Sequence, residues 1–127
     1  MKLPIQLSNQ SRVPIYHQIE EQMKALIASG QLQEGTKLPS IRALSKDLEV
    51  SVITTRRAYQ NLEQQGFIMT KQGKGTFVAN VAETMKTKVK DQAVEEAFRE
   101  AIDVAKRHNY TDEEIQTIFQ AMLKGEV

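Results

Sequence analysis

Apolar residues recur along this chain with two periods, 3.6 over most of its length and two over one short stretch. Ile15, Ile19, Met23, Leu26 and Ile27 form a helical stripe, with Glu20, Glu21 and Lys24 on the water side. Pro14 suits the first helical position because it has no N–H to leave unpaired, and Ser29-Gly30 ends the helix. Residues 1–11 read as extended or loose. Gln31–Leu38, which carries Gly35, reads as a loop with one short strand near Thr36–Leu38. Pro39-Ser40 then opens a second helix, Ile41–Glu49, whose Ile41, Leu44 and Leu48 share a face. Val50-Ser51 is a tight turn into a third helix.

That third helix, Ser51–Gly66, organises the reading. Ser51 is a good N-cap, and Gly66 can take the left-handed conformation that closes a helix. Thr55, Ala58, Tyr59 and Leu62 follow the spacing of one buried face. At 100° per residue Ile53, Arg57, Gln60 and Gln64 point the opposite way, with Arg56 on the flank. The outer face therefore carries cations, amides and one apolar residue, and Glu63 near the flank is its sole carboxylate. A helix with only solvent to meet usually mixes Lys with Glu at i, i+4. Two helices joined by so tight a turn form a helix-turn-helix, which presents its second helix to the major groove of DNA.

After Gly66 the period shortens to two. Phe67–Gln72 and Thr76–Ala79 flank Gly73-Lys74-Gly75 and predict a β-hairpin, a wing behind the three helices. Residues 82–108 return to a helical pattern with a broad apolar face, and His108-Asn109-Tyr110 is a turn. Thr111 with Glu114 makes a capping box ahead of a last helix bearing Ile115, Ile118, Phe119, Met122 and Leu123. Two such helices cannot bury both faces on each other. The surplus on Val94, Phe98, Ile102, Ile115, Phe119 and Met122 is expected to meet a second copy of the chain. The expected architecture is α+β and mostly α: a winged helix-turn-helix over residues 1–80 and a two-helix dimerisation and effector-response hairpin over 81–127.

Composition adds little until it is divided. With 40% apolar and 26% charged residues in 127, the chain has globular values and needs no staples, and it holds no cysteine. The start, MKLPIQLSNQSR, has no apolar run of signal-peptide length. No stretch approaches the ~20 apolar residues of a membrane span. The expected location is the cytoplasm, with no membrane partner. The net charge of +1 conceals ten cations against six acids in residues 1–80, and seven against ten in 81–127. A basic part joined to an acidic part points to a polyanionic partner for the first.

Several motifs together resemble the GntR family of bacterial transcription regulators. They are Pro14-Ile15-Tyr16 with Gln18-Ile19, Gly35…Lys37-Leu38-Pro39-Ser40…Arg42…Leu44, Thr54…Arg57-Ala58-Tyr59…Leu62-Glu63…Gly66, and Gly73-Lys74-Gly75-Thr76-Phe77-Val78. The ordered set covers residues 13–79. The short two-helix tail resembles the YtrA-like subfamily, which implies a homodimeric repressor, often of a transporter operon; the two wings of a dimer are expected to read an inverted-repeat operator. The resemblance also implies DNA contacts from Arg42, from Ser51, Val52, Ile53, Thr54 and Arg56, and from Lys74 and Gly75 of the wing. Val52 stands where arginine or another polar residue is usual. Glu49 replaces the usual glycine before the turn valine, which implies a slightly different turn in the same fold.

Arg56, Arg57 and Lys71 add cations to that face, since arginine forks match phosphates and guanine edges. Ile53 at the start of the helix can touch a thymine methyl. A winged-helix protein–protein adaptor is the alternative, but its face would be more apolar. Gly73-Lys74-Gly75-Thr76 lacks the first glycine of a phosphate-binding loop and follows a helix and strand in the wrong order. His17 and His108, with no cysteine, make no metal site, and no nucleophile–base pattern stands out. No cofactor and no catalysis are expected. The tail is too small to enclose a ligand cleft of ~300–1,000 Å³ within one subunit. A small-molecule effector would therefore sit at the dimer interface or between tail and wing.

Overall fold

The computed structural model describes residues 2–127. Its elements are α1 (Ile15–Ala28), α2 (Ile41–Leu48), α3 (Val52–Gln64), β1 (Ile68–Lys71), β2 (Gly75–Val78), α4 (Glu83–Arg107) and α5 (Asp112–Leu123). The chain divides into two compact units, Met1–Lys90 and Asp91–Val127. The division falls inside α4, beyond residue 80, because Val81 is buried in the core of the first unit and Val89 packs against it.

In the first unit α3 packs on both α1 and α2. Ile19, Met23, Ile27, Leu44, Ala58, Leu62, Ile68 and Val78 are almost wholly removed from water. The helix predicted from Pro14 begins one residue later. Pro14 is its N-cap, with ψ at 147° and its carbonyl accepting from the N–H groups of His17 and Gln18. Glu20 and Lys24, expected on the water side of α1, are both drawn inward. Glu20 is buried, accepting from Asn61 Nδ2 of α3 at 3.2 Å. Lys24 is half-buried, its ammonium 3.3 Å from Glu21 and 5.6 Å from the centre of the Phe67 ring. α1 has neighbours on more than one side, so its buried arc is wider than one apolar stripe.

One of those neighbours is the N-terminal arm. Residues 2–13 are not helical, as expected, but the arm is bound rather than loose: Leu3 and Ile5 join the core. Gln22 pairs with both backbone groups of Gln6 (2.9 and 2.7 Å), and Gln18 does the same to Ser8 (2.9 and 3.0 Å). The two glutamines lie four residues apart on a helix, about 6 Å. Their targets lie two apart on an extended chain, about 6.6 Å. The near match of these rises lets side-chain amides act as a strand partner.

The wing is an antiparallel pair with Ile68 opposite Val78 and Lys71 opposite Gly75. The short strand expected near Thr36–Leu38 is reduced to a single bridge alongside it. Lys37 bridges to Phe77, and Gly35 N, Leu38 N and Val78 N donate to Val78 O, Thr76 O and Thr36 O. In the second unit Asn109 turns the chain at φ 65°, and the capping box of Thr111 and Glu114 is fully formed. Phe98 and Phe119 meet edge to face at 5.4 Å.

Candidate nucleic-acid interface

The geometry of the interface is set where α2 hands over to α3. Ser40 caps α2 by accepting from Ala43 N, and Glu49 ends it in the left-handed region at φ 57°. A glycine takes that conformation freely, whereas a side-chain-bearing residue pays ~1–2 kcal/mol. Glu49 adopts the backbone that glycine favours and bears the strain. Val50 N then reaches back to Ser45 O at 3.0 Å. Between the helices the Ser45 hydroxyl hydrogen-bonds Thr55 Oγ1 at 2.8 Å in a buried site. Tyr59 donates to the Pro39 carbonyl at 2.6 Å, and burial raises its phenol far above the ordinary range, so it remains a donor. These bonds fix the angle at which α3 is presented.

At the front of α3 the Ser51 hydroxyl accepts from Thr54 N (3.1 Å) and donates to Thr54 Oγ1 (2.8 Å). An oxygen that accepts from its neighbour keeps its own hydrogen to donate, so Thr54 retains a donor at the mouth of the helix. Ile53 beside it is 76% exposed, the unusual state for an isoleucine that the pattern predicted. Arg56 is exposed, while Val52 and Thr54 are half-buried. Arg57, placed by periodicity on the outer face, leans toward α1, its guanidinium carbon 3.9 Å from the centre of the Tyr16 ring. Glu63 is occupied elsewhere, accepting from Thr70 N and Thr70 Oγ1 of β1.

The wing brings further cations to the unit. Lys71 lies 5.0 Å from the centre of the Phe77 ring, and Lys74 sits exposed in the turn with its N–H donating to Lys71 O. Lys37 is a residue that the sequence reading missed. Its side chain crosses Gly75 so closely that a Cβ there would lie 2.9 Å from Lys37 Cε, and Gly75 itself sits at φ 124°. The available signal was the short strand at Thr36–Leu38: a strand paired to the wing puts Lys37 among the wing lysines.

Electrostatically these cations are uncompensated. Among the described residues the ion pairs are His17–Glu21, Lys24–Glu21, Lys86–Glu83, Arg99–Glu96 and Lys106–Asp112. None involves Lys37, Arg42, Arg56, Arg57, Lys71 or Lys74. Their charge is therefore free to meet phosphate. Among the described residues no group of three or more His, Asp or Glu could hold a metal. Among the described residues no helix is long and apolar enough to cross a membrane.

Three helices, a capped and partly apolar third helix, and a lysine-bearing hairpin define a winged helix-turn-helix protein of the DNA-binding kind. Residues 15–78 match the family described as bacterial regulatory proteins, gntR family. The chain belongs to that family and is a DNA-binding transcription regulator. It is similar to the HTH-type transcriptional repressor YtrA of Bacillus subtilis (strain 168), 37% identical over 77% of this chain and 75% of that one. Among solved structures it is similar to YtrA from Sulfolobus acidocaldarius, a GntR-family transcription factor. The TM-score there is 0.59 at 36% identity, over 71% of this chain and 96% of the other. It is also similar to the AraR DNA-binding domain in complex with operator ORX1, with a TM-score of 0.51 at 34% identity, over 62% of this chain and 92% of that one.

Proposed function

We propose that the protein is a cytoplasmic repressor that binds an inverted-repeat operator as a homodimer and controls a transporter operon. The observation that carries the dimer is the apolar surface of the second unit. Val94, Phe98, Ile102, Phe119 and Met122 are 51, 48, 41, 43 and 60% exposed. Ile115, grouped with them in the sequence reading, is half-buried. Apolar side chains this open, on a helical hairpin this small, are what a second copy related by a twofold axis would cover. A twofold dimer carries two recognition helices in opposite senses, and these match an operator with twofold symmetry. The repressing sense follows the similar B. subtilis protein, which is named a repressor. Control of a transporter operon is what the resemblance to the YtrA-like subfamily implies.

Footprinting on the protein's own promoter, with sedimentation of the full chain, tests the reading. The expected result is a dimer protecting two inverted half-sites whose centres lie one or more helical turns apart. A monomer protecting one half-site would overturn it.

A further inference from the structure

Arg57 is oriented by an aromatic ring and by no carboxylate. Tyr16, the second residue of α1, is half-buried, and His17 meets its ring edge-on at 6.5 Å. The Arg57 guanidinium lies 3.9 Å from the centre of that ring, and among the described residues no acid pairs with it. The distinction matters for a group that meets DNA. An ion pair would fix the guanidinium but cancel the charge that a phosphate needs. A cation held over a ring keeps its full charge, and the N–H donors that the ring does not cover stay available for a phosphate.

We propose that Tyr16 is a positioning residue for DNA binding: its ring holds Arg57 as a phosphate clamp at the side of α3. Arg57 then contributes affinity and register, and the bases are read by Ile53, Thr54 and Arg56 at the front of the helix. The periodicity of α3 puts Arg57 in the middle of the outer face. The stack moves it to the edge, where α1 begins. The proposal rests on the DNA-binding reading of this face, so the wild-type chain serves as the control that separates the two.

The test compares the full-length wild type with Tyr16→Phe, Tyr16→Leu, Arg57→Ala and the Tyr16→Leu/Arg57→Ala double variant. Each is titrated on the footprinted promoter fragment and on an unrelated fragment of equal length, at several salt concentrations. Arg57→Ala is expected to weaken both fragments alike and to make the log–log salt slope shallower by about 0.9, the loss of one phosphate. Tyr16→Phe keeps the ring and should stay within about twofold of wild type. Tyr16→Leu should bind about two- to fivefold more weakly, the scale of an exposed cation–π contact. It should add nothing once Arg57 is alanine.

A Tyr16→Leu loss of equal size in the Arg57→Ala background would overturn the proposal, because Tyr16 would then act independently of Arg57. A Tyr16→Phe loss as large as that of Tyr16→Leu would overturn it too, by assigning the effect to the hydroxyl. A measurement on the wild type guards against a variant that fails to fold. Ring current from Tyr16 should move the Arg57 side-chain protons upfield in the NMR spectrum, and their appearance at ordinary shifts would contradict the stack. A wild-type chain with no salt-dependent binding would overturn the DNA reading and this proposal together.

Discussion

Ile53 places an apolar side chain, 76% exposed, in the first turn of the helix presented to DNA. Its one chemically specific partner in the major groove is the methyl of thymine. Binding-site selection with Ile53→Ala should return a motif relaxed at one or more thymine positions, by on the order of 1 kcal/mol or less of discrimination. The same motif from wild type and variant would show that the residue reads no base. Glu49 makes a different statement, about strain. Its left-handed backbone costs ~1–2 kcal/mol that glycine would not incur, while glycine adds ~0.4–1 kcal/mol of disorder to the unfolded chain. Glu49→Gly should therefore stabilise the protein by about 0.5–1 kcal/mol, read as a higher urea midpoint at unchanged m. A lower midpoint would mean that the Glu49 side chain contributes something not evident in its backbone.

The wing acts as an element because three segments build it. Lys74 comes from the turn, Lys71 from β1, and Lys37 from the bridging strand ahead of α2. Cations that meet phosphate carry no direct sequence information. Lys37→Ala and Lys74→Ala should each weaken specific and unrelated DNA alike and make the salt slope shallower by about 0.9. An unchanged slope for Lys37→Ala, measured by titration at several salt concentrations, would remove Lys37 from the contact. At this scale the sequence was mostly legible. The 3.6 and 2.0 periods, the caps at Ser51 and Thr111 and the break at Gly66 all mark local chemistry, and the elements formed where they pointed. What escaped depended on neighbours distant in the chain. The burial of Glu20 needs Asn61, the docking of the arm needs Gln18 and Gln22, and the place of Lys37 needs the strand beside Phe77. The stack of Arg57 on Tyr16 has the same origin, since no single-helix periodicity reports a ring on another helix.

Across the whole molecule, charge and apolar surface divide between the two units. Split after Lys90, the first unit holds thirteen Lys and Arg against seven acids and the second four against nine, net +6 and −5. The sharper contrast than at residue 80 arises because Lys86, Lys88 and Lys90 fall with the basic unit. Attraction to phosphate thus belongs to the first unit. The second is acidic and carries exposed apolar side chains. If unpaired cations on the first unit grip the phosphate backbone and the second unit doubles them, operator affinity must fall steeply with salt. If Lys37, Arg42, Arg57, Lys71 and Lys74 each meet a phosphate, one protomer gives a log–log slope of about −4.5 and a dimer about −9. A straight line near the steeper value is expected; a flat line would rule out the phosphate grip.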